Sequence, residues 1–294
     1  MIKNIIVLGS SGQLGQEFTN HFSFNKSFKV NYFSKSECNI SDYSNLENLI
    51  KIIDPCVVIN CAAYTNVDKS ETDKKIANIV NNLAVKNIAK LSKKYNFVLI
   101  HFSTDYVFNK FLGRPFLESD NKNPINYYGV TKHKGEENII KYSKKFFIFR
   151  ISWVYGIFGE NFPKKIIKLT KELDSLKVVN DQIGVPTSTE FIVNFIESFI
   201  LNFNSYQNSY GIYNLVPNGK STWFDISEKI LNKFINKDIC LCKKIIPVKS
   251  KEFETIAQRP NYSLLDNNKL INTFDHQIYN WEVYFDKFLK KVRY

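Results

Sequence analysis

Two rhythms of apolar residues alternate along the first half of this chain. Ile5–Leu8, Phe28–Phe33, Pro55–Cys61, Phe97–Phe102 and Phe146–Ile151 are short runs, mostly β-branched or aromatic, with little polar interruption. Such runs suit parallel strands buried on both faces. Between them the apolar period lengthens. Leu14, Phe18 and Phe22 stand four apart, Ser41-Asp42 opens a helical stretch to about Ile53, and Ile76, Ile79, Val80, Leu83, Ile88 and Leu91 stripe a helix over 72–94. Pro124 and Asn126 introduce a further helix over about 126–143. Strand and helix in alternation predict an α/β fold, a doubly wound parallel sheet.

After Gly156 the pattern loosens. Helices are expected at 160–174, 189–203 and 223–234, short strands at 211–216 and 239–242, loops at 181–187 and 259–261, and an amphipathic segment at 279–292. No internal repeat or low-complexity linker divides the chain.

Composition narrows the classes. The chain has 294 residues, 44% hydrophobic and 23% charged, ordinary values for a globular protein with a real core. No run of 18 apolar residues is present, so no membrane span is expected. The opening apolar run is short and passes into Gly9-Ser10-Ser11-Gly12 without a cleavage site. It reads as a first strand of a cytoplasmic protein. The five cysteines are odd in number, which argues against a disulfide framework, and no second Cys or His pair completes a zinc site. Cys240-Leu241-Cys242 reads as two thiols on one face of a strand. The net charge is +12, but the lysines are scattered. That describes a solvated basic surface able to draw in a small anionic substrate, not a nucleic-acid interface.

Candidate chemistry sits at the strand ends. Gly9-Ser10-Ser11-Gly12-Gln13-Leu14-Gly15 follows the first strand and opens a helix. Glycines there permit a tight turn, and the helix N-terminus offers free N–H groups to a pyrophosphate. The sheet is therefore of Rossmann type. Residues 1–155 are expected to form a dinucleotide-binding domain. Residues 156–294 are expected to form mainly a smaller C-terminal α/β substrate-binding domain, with parts of 156–235 packed back on the first. After the second strand, where an acid would select NAD, stands Lys35, suited to a 2′-phosphate or simply a surface lysine. Ala62, Ala63 and Tyr64 follow the third strand with small residues where a cofactor can lie. Ser103, Thr104 and Asp105 end the fourth, where hydroxyls either face the crevice or cap a turn. Tyr128 and Lys132 lie four apart on one helix face, and a fixed ammonium beside a phenol lowers its pKa and makes it a usable proton donor for a carbonyl–alcohol conversion.

Taken together, these stretches resemble the extended short-chain dehydrogenase/reductase superfamily, and within it the dTDP-4-dehydrorhamnose reductases. The resemblance runs from residue 1 to about 265. It rests on Gly-x-x-Gly-Gln-Leu-Gly, Asn60–Glu71, Ser103–Phe108, Tyr128–Glu136, Arg150–Tyr155, Asp181–Thr187, Gly211–Val216 and Arg259-Pro260. It implies NADPH or NADH as cofactor and a nucleotide-sugar substrate whose 4-keto group is reduced. Tyr128 would be the proton donor and Lys132 the residue that lowers its pKa and holds the nicotinamide ribose. Thr104 would bond the reacting oxygen, and Asp105 and Trp153 would contact the sugar. Cofactor contacts would fall on Gly9, Ser11, Gly12, Gln13, Leu14, Gly15, Lys35, Asn39, Ile40, Ala62, Ala63 and Tyr64, with Asn39 standing where the family usually has an acid. Some members hold Mg²⁺ between subunits through glutamates. Glu17 and Glu190 match two of these, and nothing in Phe285–Tyr294 matches the third, which argues against Mg²⁺ and leaves monomer or homodimer open. A reductase of another nucleotide-linked 4-keto-6-deoxysugar, or a non-catalytic dinucleotide-binding regulatory subunit, would share the fold. The latter typically lacks the Tyr or the Lys.

Overall fold

The computed structural model describes residues 3–22 and 28–293. In chain order the first half runs β1 (Lys3–Leu8), α1 (Gln13–Phe22), β2 (Phe28–Phe33), α2 (Tyr43–Ile53), β3 (Val57–Asn60), α3 (Val67–Thr72), α4 (Lys74–Asn78), α5 (Ala84–Tyr95), β4 (Val98–Thr104), α6 (Tyr127–Tyr142) and β5 (Phe146–Ile151). The second half runs β6 (Val154–Tyr155), α7 (Phe162–Leu169), β7 (Ser175–Val179), β8 (Ile183–Gly184), β9 (Thr187–Ser188), α8 (Thr189–Leu201), β10 (Gly211–Asn214), β11 (Ser221–Thr222), α9 (Trp223–Phe234), β12 (Lys244–Val248), α10 (Asn268–Phe274) and α11 (Trp281–Lys291).

Six strands form a parallel sheet in the order β2-β1-β3-β4-β5-β10. Side chains alternate between its faces, and both faces are buried. Ile5 and Val7 join Phe18, Phe195, Phe199 and Phe274 under α1, α8 and α10. Ile6 and Leu8 join Leu46, Ile50, Ile88 and Ile139 under α2, α5 and α6. That two-sided burial is why the strands carry continuous apolar runs. Beyond β5 the chain lends the sheet its last strand and two covering helices. It also builds a separate apolar cluster, in which α7 and α9 (Ile166, Ile230, Phe234) pack with the parallel pair β7–β12 (Leu176, Val178, Ile245).

Three local expectations change. The strand expected at 239–242 lies instead at Lys244–Val248. Leu241 and Cys242 both donate their N–H to the single carbonyl of Thr170 (2.9 and 3.0 Å), so Cys240-Leu241-Cys242 has no ladder partner, although both thiols turn toward the apolar cluster and Leu241 is exposed. The strand β7 occupies residues next to the expected helix end at 174, because Leu176 and Val178 face the cluster while Lys177 faces out. The helix expected at 72–94 begins earlier, breaks at Asp73, and carries a π turn at Ile79–Leu83. At that turn α6 comes so close that a Cβ on Gly135 would stand 2.4 Å from the Asn81 carbonyl oxygen. No helix among the described residues is long and apolar enough to cross a membrane.

Candidate active site

The carboxyl ends of β1, β3 and β4 meet where the winding of the sheet reverses, the usual place for a ligand in such a fold. Gly9 takes φ +78°, and a Cβ there would lie 2.6 Å from the Ala62 nitrogen, so only glycine lets these two strand ends approach. The Gly9 and Ser10 amides donate to Phe33 O (2.8 and 3.1 Å), fixing the loop against the end of β2. Asn126 caps α6 by accepting from the Gly129 N–H (2.8 Å), and its own amide reaches Gln258 O (2.8 Å). The Tyr127 N–H donates to Glu71 (2.7 Å). The first turn of α6 is thereby held from three directions, which places Tyr128 and, one turn on, Lys132.

A cavity of about 430 Å³ brings together Gly12, Gln13, Leu14, Ala62, Ala63, Thr104, Asp105, Tyr128, Lys132 and Trp153. Gly9, Ser11 and Gly15 shape the turn without lining it, and Lys35, Asn39 and Ile40 follow β2 outside it. Lys35 is exposed, while the acid nearest it, Glu37, is turned back on the Ser34 amide and hydroxyl (both 2.7 Å). Asn39 caps the Ser41 amide (3.1 Å), and Ile40 is buried in the core. Tyr64 points its hydroxyl at Asp73 (2.7 Å), away from the cavity.

Thr104 does two things at once. It caps the turn that follows β4, accepting from the Tyr106 N–H (3.2 Å), and its hydroxyl proton goes to Asp105 (3.1 Å). Tyr128 is pushed up to about 12 by burial, a rise tempered by a hydrogen bond with Thr104 and reinforced by Asp105. Lys132, expected to lower this phenol, is not among the groups that shift it here. The Lys132 ammonium donates to the Phe102 carbonyl (2.6 Å), and burial brings Lys132 itself down to about 8. Tyr128 therefore holds its proton at neutral pH.

Burial pushes the Asp105 carboxyl up to about 7, tempered by Ser263 and Thr104, and its Oδ2 has no hydrogen-bond partner. Between the ordinary aspartate range and pH 7 the folded protein binds a proton here that the unfolded chain does not. Stability from this group is therefore lost as pH rises through that window. Asp105→Asn removes the loss, so its stability gain over wild type will be larger near pH 8 than near pH 5 by about 3 kcal/mol, at about 1.4 kcal/mol for each of the two pH units between pH 5 and the folded pKa. Urea unfolding at the two pH values measures it, and an equal difference at both would mean the carboxylate is ionised throughout.

Two features escape the sequence pattern. Trp153 sits at φ 45°, a strained setting for a bulky residue, and its indole stacks on Trp223 with ring centroids 3.7 Å apart. Trp223 lines both the small cavity and a larger one of about 1070 Å³, where apolar residues of α7 and β7 meet Lys165, Lys177, Lys251 and Arg259. A tryptophan opening a capped helix, in a chain with three, was the available signal for Trp223. His101, buried beside Lys132, had none.

Glu17 and Glu190 each have a partner within this chain. Glu17 accepts from the Thr189 hydroxyl (2.6 Å), and Glu190 pairs with Lys291 (2.7 Å) from the C-terminal segment where a third acid was sought. Among the described residues no three His, Cys, Asp or Glu could share an ion.

The family described as RmlD substrate binding domain matches residues 3–294. A dTDP-4-dehydrorhamnose reductase of Escherichia coli K12 is 33% identical over 294 residues, covering 98% of each chain. The crystal structure of a dTDP-4-dehydrorhamnose reductase from Bacillus anthracis in complex with NADP is similar with a TM-score of 0.91 and 33% identity, covering 99% of this chain and 100% of that one. An ortholog from Clostridium acetobutylicum gives 0.90 and 32%, covering 98% of each.

Proposed function

We propose, because this chain belongs to the RmlD substrate binding domain family, that it is an NADPH-dependent reductase converting dTDP-4-dehydro-L-rhamnose to dTDP-L-rhamnose for cell-surface polysaccharide synthesis in the cytoplasm. The observation that carries this is the convergence of Tyr128, Thr104 and Asp105 on one cavity bounded by the glycine turn. A non-catalytic subunit would have no use for that cluster.

NADPH, when bound, supplies the hydride to C4 of the sugar. Gly12, Gln13, Leu14, Ala62 and Ala63 line the space that would hold it, and the N-terminus of α1 would favour its pyrophosphate. Tyr128, a neutral phenol at pH 7, gives its proton to the oxygen that gains charge at C4. Thr104 rotates its hydroxyl from Asp105 onto the same oxygen and stabilises that charge. Trp153 forms the apolar face of the sugar site, and the lysines and Arg259 of the larger cavity balance the diphosphate beyond it.

Thr104→Val keeps the shape and removes the donor. Loss of one such donor is worth about 2.7–4 kcal/mol in the transition state, so kcat will fall roughly 100- to 1000-fold. The lost cap will cost about 1 kcal/mol of stability, and Thr104→Ser will restore both. A Val variant that melts early yet turns over normally per folded molecule would leave Thr104 a cap only. For the cofactor, loss of a charge-assisted bond from Lys35 to the 2′-phosphate is worth about 1.5–3 kcal/mol. Lys35→Asp will therefore lower the NADPH-to-NADH ratio of kcat/KM about tenfold or more, and an unmoved ratio would make Lys35 a plain surface residue. Loss of NADPH absorbance on adding dTDP-4-keto-L-rhamnose tests the proposal as a whole. No loss at any enzyme concentration refutes it.

A further inference from the structure

Behind Lys132 lies a buried chain of polar groups whose protons can be assigned. Asn60 and His101 are register partners on β3 and β4, and each is 1% exposed. The Ala62 N–H, which can only donate, points to Asn60 Oδ1 (3.1 Å). That fixes the orientation of the amide, so Asn60 Nδ2 is the atom 3.1 Å from His101 Nδ1, and it donates. Burial, and then Lys132, hold the His101 pKa far below its ordinary value, so the ring is neutral and carries one N–H. With Nδ1 accepting, that hydrogen sits on Nε2, 3.3 Å from Lys132 Nζ.

An ammonium has no lone pair for this hydrogen, whereas an amine has one. We propose that His101 is a positioning residue for Lys132: its tautomer, set by the Ala62 backbone through Asn60, presents Nε2–H to Nζ and stabilises the lysine once it has given up its proton. This rests on the reading of Tyr128 as proton donor. After Tyr128 has protonated the sugar oxygen it is a phenolate. Through water in the cavity that both residues line, a proton passes from Lys132 to the phenolate: an N–H bond breaks, the phenol O–H re-forms, and the pair goes from one positive and one negative charge to two neutral groups. The new lone pair on Nζ then accepts from His101, and solvent later returns a proton to the amine. The arrangement ties proton return to the turn that holds the cofactor, since Ala62 is the residue packed against Gly9.

The other groups around Lys132 do not supply this. Glu136, one turn on along α6, favours the ammonium but is itself paired with Arg150 of β5 (2.7 Å). Cys61 beyond β3 is a neutral thiol, held far up by burial. Tyr128 and Asp105 share the cavity with Lys132 and bear on each other.

The test does not depend on which sugar is reduced. In isotope-labelled protein, the ¹⁵N shifts of His101, assigned by their absence in His101→Phe, should show Nε2 protonated and Nδ1 bare. A proton on Nδ1 overturns the proposal. Asn60→Asp supplies an acceptor for both the Ala62 N–H and His101 Nδ1–H, which moves the ring proton and leaves Nε2 to accept from the ammonium. The Lys132 midpoint, read from its ¹³Cε shift, should then rise by about one pH unit or more, with the alkaline fall of kcat moving alongside. In His101→Phe the same Asn60→Asp change should move it by less than half as much. An unmoved midpoint, or an equal shift without the imidazole, refutes the proposal. If Asn60→Asp does not fold, the ring shifts of the wild type decide alone. Correct ring shifts in a protein that reduces no keto-sugar would sink the proposed function and leave the tautomer chain standing.

Discussion

Tyr128→Phe will lower kcat by at least about 100-fold while NADPH affinity stays near that of the wild type. The ring is kept, so its edge contact with Tyr106 survives and the cavity keeps its shape. What goes is the phenolic proton, and general acid catalysis is typically worth about 10²–10⁴-fold. The phenol is a donor here because burial holds it protonated at about 12, well above any working pH. Phenylalanine cannot be rescued by pH, so a large loss will remain at both pH 6 and pH 8. Steady-state kinetics with cofactor binding measured separately will check this, and retention of more than half the activity would remove Tyr128 from the mechanism.

Arg150→Met will cost about 3–5 kcal/mol of stability, the range for breaking a buried ion pair by removing one partner. Arg150 is fully buried on β5, and its guanidinium makes two bonds to Glu136 of α6 (2.9 and 2.7 Å) and one to Glu118 O (3.1 Å), while lying over the Phe108 ring. Burial alone would raise the Glu136 carboxyl, and Arg150, with smaller help from Ser103 and His133, more than reverses that. Without the arginine, Glu136 is a buried carboxylate that has lost both of its guanidinium bonds, two turns from Tyr128 on the same helix. Replacing both residues, as in Arg150→Met with Glu136→Leu, will recover most of the loss, because an apolar pair of similar volume often substitutes for a buried ion pair. Chemical denaturation of the single and double variants measures the difference. A single variant within about 1 kcal/mol of wild type would show that water reaches Glu136.

The sheet was legible because a strand buried on both faces needs apolar residues at every position, as Ile5–Leu8 and Val57–Ile59 supply. The helix bearing Tyr128 and Lys132 was legible from its Asn126 cap. The β7–β12 pair was not. Leu176 and Val178 flank a single lysine and Ile245-Ile246 runs into Pro247, stretches too short to separate from turns, and their partners lie some seventy positions apart. Spacing could place Tyr128 and Lys132 on one helix face, but not where the ammonium points. That depends on the carbonyl of Phe102 and the ring of His101 on a strand thirty residues earlier. Nor could it give Trp153 its stacking partner, because Trp223 arrives from a helix seventy residues later.

The central claim is that this one cavity delivers hydride to C4 of a 4-keto sugar while Tyr128 protonates its oxygen. It is tested most directly by turning over dTDP-4-keto-L-rhamnose with NADPH deuterated at the transferred position and reading the product by NMR. The account predicts dTDP-L-rhamnose with deuterium on C4 and none elsewhere. A different epimer, deuterium at another carbon, or unconsumed substrate would contradict it.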